Sequence, residues 1–148
     1  MHENGVHVFA MRVYFEDTDA TGIVYHANYL KFAERARTEM LRDLGVEHSR
    51  KIDDEGRAFA VRRCTAEFVK PARLDDVLEV HTRFVTVRGA SLVLAQNVKR
   101  QGVDLVMLRF GLACMSAAGR ATRIPLALRI TLENLWQQDR LSGKWKAT

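Results

Sequence analysis

The chain has 148 residues, of which 47% are hydrophobic and 28% are charged, and a chain of this length buries a substantial core as one domain. This composition excludes a disordered tail, a collagen-like chain and a low-complexity linker. No apolar run approaches the roughly 18 residues of a membrane span, and the first residues lack the pattern of a secretory signal. Two cysteines exclude a disulfide framework, so we expect a single domain, residues 1–148, in a reducing cytoplasm.

The net charge is +5, which favours anionic partners such as nucleic acids, acidic lipids or phosphorylated small molecules. The 23 basic residues are scattered among 18 acidic ones, and no zinc-finger, helix-turn-helix or RNA-recognition spacing accompanies them. We therefore expect no nucleic-acid partner. The positive charge either solubilises the protein or attracts the phosphates of a small ligand.

The first third of the chain predicts a strand, a turn-rich segment and one long helix. Residues 8–14 alternate in polarity as a half-buried strand does. Residues 16–26 are rich in turn-forming side chains. Residues 28–44 carry a single apolar stripe at helical spacing, with Asn28 as the expected N-cap and Gly45 placed to end the helix.

After the helix, short turns that contain glycine or proline separate four predicted strands, at residues 58–68, 77–87, 91–100 and 104–115. Residues 126–136 are predicted as a short helix, and about residues 137–148 as a polar, frayed tail. One long helix followed by an antiparallel meander is an α+β pattern. Because such long strands twist and curl, we expect a hotdog fold, in which a curved antiparallel sheet wraps around the long central helix.

The densest polar cluster lies between the first strand and the helix and contains Glu16, Asp17 and Asp19. One interpretation is an ordinary solvated turn, because aspartate and threonine side chains readily hydrogen-bond there. The other interpretation places one carboxylate at the mouth of a pocket. The helix that follows presents unsatisfied N–H groups, and a carboxylate beside such groups is suited to acyl transfer.

The same region resembles a known family. The similarity is carried by VYFEDTDATGIVYHANYL at residues 13–30, continues to Arg42, and resumes in PARLDD at residues 71–76 and RGASLV at residues 88–93. These segments closely resemble the Tol–Pal-associated acyl-CoA thioesterases of the YbgC type, in the 4-hydroxybenzoyl-CoA thioesterase branch of the hotdog superfamily. The resemblance covers about residues 8–125.

The resemblance implies a small site that needs neither a metal nor an organic cofactor. It places the catalytic aspartate at Asp19 and a Tyr-His pair at Tyr25 and His26, with the main-chain N–H of His26 polarising the thioester carbonyl. The His26 side chain either orients Asp19 or the leaving thiolate, or only packs. The resemblance also implies a pantetheine and nucleotide groove between protomers, near Arg88 and Ser91.

Other residues of interest are expected to be structural. Asp17 and Glu16 are expected to support the turn, and Thr21 stands where many relatives have a glycine, which leaves the local pocket shape open. Cys64 and Cys114 are expected in the core, and His7 at an edge or in an unstructured segment. No spacing of His, Cys and carboxylates matches a metal site, and no G-x-S-x-G motif supports an α/β-hydrolase.

The sequence therefore predicts an enzyme that hydrolyses acyl-CoA to a free acid and coenzyme A, working as a homodimer or homotetramer. Whether Asp19 attacks the carbonyl or activates water stays open, as does the acyl group that is preferred. An alternative is a binding module for acyl carrier protein or a membrane-biogenesis complex, with vestigial catalysis. A different hotdog enzyme, such as a dehydratase, fits the D-x-D segment less well.

Overall fold

A computed structural model describes residues 2–46 and 51–142 of the chain. The elements are β1 (His2–Glu3), β2 (Val6–Arg12), a 3-10 helix (Phe15–Asp17), α1 (Asn28–Asp43), β3 (Ala58–Phe68), β4 (Val77–Val87), β5 (Ser91–Arg100), β6 (Val103–Met115) and α2 (Leu126–Ser142). The strands form one antiparallel sheet in the order β1-β2-β4-β5-β6-β3. The predicted α+β hotdog arrangement is therefore confirmed, with α1 against one face of the sheet.

Helix α1 packs on the sheet through the apolar stripe that the sequence predicts. Its buried side chains are Tyr29, Phe32, Ala33, Ala36 and Met40. The facing side chains of β6 alternate with period two and are buried as well: Val106, Leu108, Phe110, Leu112 and Cys114. Each large apolar side chain buried in this way contributes about 1.5–3 kcal/mol, so this interface is the main source of stability. The helix ends as predicted, with Gly45 N–H donating to the Arg42 carbonyl at 3.0 Å.

A fully buried amide joins α1 to the sheet. Gln96 Nε2 donates to the Ala33 carbonyl at 3.0 Å and to Thr82 Oγ1 at 2.9 Å. Gln96 Oε1 accepts a hydrogen bond from Arg37 Nη1 at 2.9 Å. A buried amide is costly when its hydrogen bonds are missing. These bonds therefore favour one position of α1 along the sheet.

Helix α2 covers the part of β4 that β2 leaves free. Strand β2 pairs with β4 only as far as Thr82, and α2 contacts β4 beyond that point. Arg83 Nη1 lies 3.0 Å from Asp139 Oδ2, and both side chains are buried. Burial lowers the pKa of Arg83 to about 10, so the guanidinium is still charged at neutral pH and is neutralised by Asp139.

Three expectations from the sequence are wrong for reasons of packing. The predicted polar tail is helical up to Ser142, because Asp139 is anchored in the protein; residues 143–148 lie outside the described ranges. His7 is only 2% exposed, and its Nε2 lies 3.0 Å from Asp43 Oδ2 at the end of α1. Cys64 is exposed rather than in the core, because β3 is an uncovered edge strand, whereas Cys114 is buried as expected.

Gly5 is expected to be essential for the contact between the first hairpin and α2. Its φ is +82°, and an added Cβ would lie 2.2 Å from the Leu135 carbonyl oxygen and 2.8 Å from the Asp139 nitrogen. These atoms belong to helix backbone and have little freedom to move. Gly5→Ala should therefore lower the free energy of unfolding by about 1–2 kcal/mol from the left-handed backbone and by a further 1–3 kcal/mol or so from overpacking.

The measurement is urea unfolding at a fixed protein concentration. Gly102→Ala is the matched control, because Gly102 has a φ of +78° but nothing within 4 Å of its added Cβ. This control should show only the backbone cost. Equal losses in the two variants would contradict the packing role of Gly5.

Candidate active site

The acidic segment before α1 folds into a tight turn at the protein surface. Gly22 N–H donates to the Asp19 carbonyl at 3.1 Å, and Asp19 N–H donates to the Ile23 carbonyl at 2.9 Å. A bridge between Thr18 and Val24 closes the base of the turn. Gly22 has a φ of +81°, which residues with a Cβ rarely adopt. The turn therefore holds Asp19 in a fixed backbone geometry.

The Asp19 side chain is exposed and is held by Thr21. Asp19 Oδ1 accepts hydrogen bonds from the Thr21 N–H at 2.8 Å and from Thr21 Oγ1 at 2.6 Å. These bonds favour the charged carboxylate and lower the pKa of Asp19, with the threonine hydroxyl as the largest cause. Thr21 does so without a positive φ, so it fits the turn without strain. Asp19 is consequently ionised at neutral pH.

Asp17, two residues earlier, points inward and supports the backbone. Its Oδ2 accepts the Tyr14 N–H at 2.8 Å, and its carbonyl accepts the Tyr25 N–H at 3.0 Å. The same carbonyl accepts Asn28 Nδ2 at 2.9 Å. The expectation that Asn28 caps α1 is therefore wrong: Ala27 is the N-cap, and the Asn28 amide is already engaged with Asp17.

The start of α1 offers unsatisfied donors beside this turn. Within the ranges that the structure describes, the main-chain N–H groups of His26 and Ala27 donate to no protein acceptor. They lie at the positive end of the helix dipole, where an anion or a polarised carbonyl oxygen is stabilised. The ring of His26 is 4.6 Å from the ring of Tyr25 and 6.1 Å from that of Phe68. No hydrogen bond joins it to the Asp19 carboxylate.

Tyr29 and Phe68 fix this end of α1 to the end of β3. The buried Tyr29 hydroxyl accepts the Ala72 N–H at 3.0 Å, and its ring lies 5.9 Å from the ring of Phe68. Phe68 is a site residue that the sequence does not predict, and Ala72 enters only as part of the segment 71–76, because contacts across 39 or more residues leave no local pattern. The acidic turn, the helix start and the end of β3 thus meet at one place.

The structure does not bring Arg88 and Ser91 to Asp19 within one protomer. A bridge between Ile23 and Arg73 places the acidic turn near the beginning of β4. Arg88 and Ser91 flank the turn at the opposite end of that 11-residue strand, and such a strand is about 36 Å long. There the Arg88 N–H donates to the Ser91 carbonyl at 2.8 Å, and the Arg88 side chain is exposed.

In residues 2–46 and 51–142, His, Cys, Asp and Glu side chains form no group of three or more arranged to hold a metal ion. Neither helix of that same part of the chain is long and apolar enough to cross a membrane.

This chain is similar to proteins of a known family. Residues 21–107 match the model of the thioesterase superfamily. The acyl-CoA thioesterase YbgC of Haemophilus influenzae is 41% identical over 115 residues, which cover 78% of this chain and 84% of that protein. The acyl-CoA thioester hydrolase YbgC of Escherichia coli O6:H1 is 52% identical over 88 residues, which cover 60% of this chain and 65% of the relative.

Solved structures with the same fold include proteins described as thioesterases. A probable thioesterase from Bartonella henselae has a TM-score of 0.73 at 37% identity, covering 81% of this chain and 98% of that one. A 4-hydroxybenzoyl-CoA thioesterase variant in complex with 4-hydroxybenzoyl-CoA has a TM-score of 0.77 at 25% identity, covering 86% and 97%. The overall architecture is thus shared along nearly the whole length of these proteins.

The contact between Thr21 and Asp19 predicts how the carboxylate titrates. Thr21→Val removes the hydroxyl that donates to Asp19 Oδ1, which is the largest cause of the lowered pKa. The pKa of Asp19 should therefore rise in the variant, as followed by carboxyl-carbon NMR during an acid titration. Thr18→Val is the control, because Thr18 Oγ1 donates to the Phe15 carbonyl instead. An unchanged Asp19 titration in Thr21→Val would contradict this account.

Proposed function

Because this chain belongs to the thioesterase superfamily, we propose that it hydrolyses the thioester of an acyl-CoA to a free acid and coenzyme A, with Asp19 as the catalytic carboxylate. The proposal is supported by the turn that holds an ionised Asp19 directly before α1, whose first N–H groups are free. A thioester needs both parts: a nucleophile or base, and donors for the oxygen that becomes negative.

In the proposed reaction the thioester carbonyl oxygen accepts a hydrogen bond from the His26 N–H. Asp19 either takes a proton from a water that adds to the carbonyl carbon, or adds to that carbon itself and is released by water. In both routes the C–S bond breaks, water supplies the new oxygen of the acid, and its proton ends on the thiol of coenzyme A. The His26 ring is exposed and makes no hydrogen bond to Asp19, so it either acts on the leaving sulfur or only packs against Tyr25 and Phe68.

We further propose that the protein is a dimer formed along β3. This strand is an edge of the sheet, its side chains from Ala60 to Phe68 are exposed, and they include Val61 (50% exposed) and Phe68 (52%). The edge also carries the exposed Arg62, Arg63 and Glu67. Its length and its unpaired backbone groups invite pairing with another strand. Two-fold antiparallel pairing of β3 with its own copy extends the sheet and covers this surface.

Such pairing would complete the site from both protomers. Antiparallel strands bring the beginning of β3 in one protomer next to the end of β3 in the other, and the acidic turn lies at that end. Ser91 of β5 lies level with the beginning of β3. Ala113 of β6, which runs between the two strands, pairs with Ser91 on one side and with Ala60 on the other. Ser91 and the nearby Arg88 would thus approach the partner's Asp19, where a basic residue suits the phosphates of coenzyme A.

Removal of the Asp19 carboxylate should stop most hydrolysis. Asp19→Asn keeps the size of the side chain but removes a base or nucleophile, so kcat on the best substrate of an acyl-CoA panel should fall at least about 10²-fold. The measurement is release of free thiol from each acyl-CoA. Glu16→Gln is the control, because Glu16 is an exposed carboxylate three residues away. A near-normal kcat in Asp19→Asn would overturn the assignment.

Disturbing the β3 edge should separate the protomers. Light scattering at micromolar concentration should show no monomer for the native protein. Ala66→Lys places a positive charge on the exposed edge of each of the two copies. The two charges repel each other, so the measured mass should shift toward that of the monomer and activity should fall with it. Gln137→Lys adds the same charge on the exposed face of α2 and should leave the mass unchanged. A fully active monomer would contradict the shared site.

A further inference from the structure

A large cavity lies between the second half of α1 and the inner face of the sheet. Its volume is about 520 Å³, within the range of small-molecule sites. Nine of the twelve lining residues are apolar, the others being Glu34, Arg37 and Thr38, and they come from α1, four strands and α2. They include Met40, Leu41, Phe59, Leu94, Leu112 and Leu132. The cavity reaches the surface beside Val61 of the uncovered β3 and the exposed Glu34 of α1.

Two charged side chains line this cavity, the exposed Glu34 and the partly buried Arg37. The Arg37 guanidinium lies 4.3 Å from the ring centre of Phe110 and donates to Gln96 Oε1 at 2.9 Å. Burial lowers the pKa of Arg37, but an arginine remains charged at neutral pH. In the part of the chain that the structure describes, no carboxylate forms an ion pair with it.

A comparison with Arg83 shows what Arg37 lacks. Arg83 is also packed into the protein, and there the chain supplies Asp139 as a counter-ion at 3.0 Å. Removing a charge from water is costly unless a partner of opposite sign compensates for it. Glu34 acts on Arg37 through its charge but forms no ion pair with it, and Gln96 gives Arg37 a neutral hydrogen bond. The remaining N–H groups of the guanidinium can therefore bind an anion inside the cavity.

The geometry of the proposed dimer places this cavity beside the reacting thioester. Phe59 and Val61, which line the cavity, belong to the beginning of β3. In the antiparallel pairing argued above, that end of β3 adjoins the acidic turn of the partner. An acyl group whose thioester is at the partner's Asp19 could therefore extend into the cavity toward Arg37.

We propose that this cavity binds an apolar chain that ends in a carboxylate, with the carboxylate paired to Arg37. A planar guanidinium binds a carboxylate through two parallel N–H bonds, and the apolar walls bind the methylene groups. The ligand is either a dicarboxylic acyl group of the substrate or a free carboxylic acid. The first assignment rests on the proposed function. Both present the same chemistry to Arg37.

Hydrolysis of two matched substrates tests whether the ligand is the acyl group of the substrate. Hexanoyl-CoA and adipyl-CoA have acyl groups of equal length, and only the second ends in a carboxylate. The native dimer should prefer adipyl-CoA in kcat/KM, and Arg37→Gln should lower that preference about tenfold or more, because a bond to a charged group is lost. Arg37→Lys keeps the charge and should retain part of the preference. Arg35→Gln, at an exposed position on the same helix, should leave the preference unchanged.

Calorimetric titration with hexanoate, in the absence of coenzyme A, tests the free-acid source. Hexanoate should bind the native protein about tenfold more tightly than Arg37→Gln if the ligand is a free acid. In that case the ratio of kcat/KM for adipyl-CoA to that for hexanoyl-CoA should be the same in both proteins. The proposal is overturned if Arg37→Gln and Arg37→Lys, shown by thermal melting to be folded, match the native protein in both measurements. A third result is that no acyl-CoA is hydrolysed, whereas hexanoate binds and its binding depends on Arg37. That result would refute the proposed function and support the carboxylate site.

Discussion

The position of α1 on the sheet depends on the buried Gln96 amide, and both functional regions depend on the position of α1. The amide contacts Ala33, Arg37 and Thr82 at once, so a shift of the helix by even a fraction of a turn would leave buried polar groups without partners. The first turn of the helix is thereby held against the end of β3, where the acidic turn lies. The second half of the helix stands over the large cavity.

Most of the fold could be predicted from local patterns in the sequence. The predicted limits of β3, β4 and β5 agree with the structure, because period-two alternation and glycine-containing turns are properties of neighbouring residues. Asp19 could be singled out for a similar reason, since its D-x-D segment is short and continuous. The resemblance then gave the residue a chemical role that composition alone would have left open.

What could not be predicted depends on contacts between distant parts of the chain. His7 is buried because β2 passes the end of α1, and the last turns of α2 are ordered because Asp139 meets Arg83. Asn28 is a good N-cap by type, yet its amide is used by the Asp17 carbonyl. Arg37 is one of several arginines on α1, and its contacts with Gln96 of β5 and Phe110 of β6 distinguish it from the exposed Arg35.

The two borders of the sheet differ, and this difference limits how the protein can assemble. At one border, the first half of β4 pairs with β2, which in turn pairs with the two-residue β1. The second half of β4 is covered by α2. Only β3 therefore offers a long uncovered border in the described part of the chain. In the pairing proposed above, two copies use that border in both, so the extended sheet ends after a single association. An edge that would otherwise remain open to strands of other proteins is then closed within a particle of fixed stoichiometry.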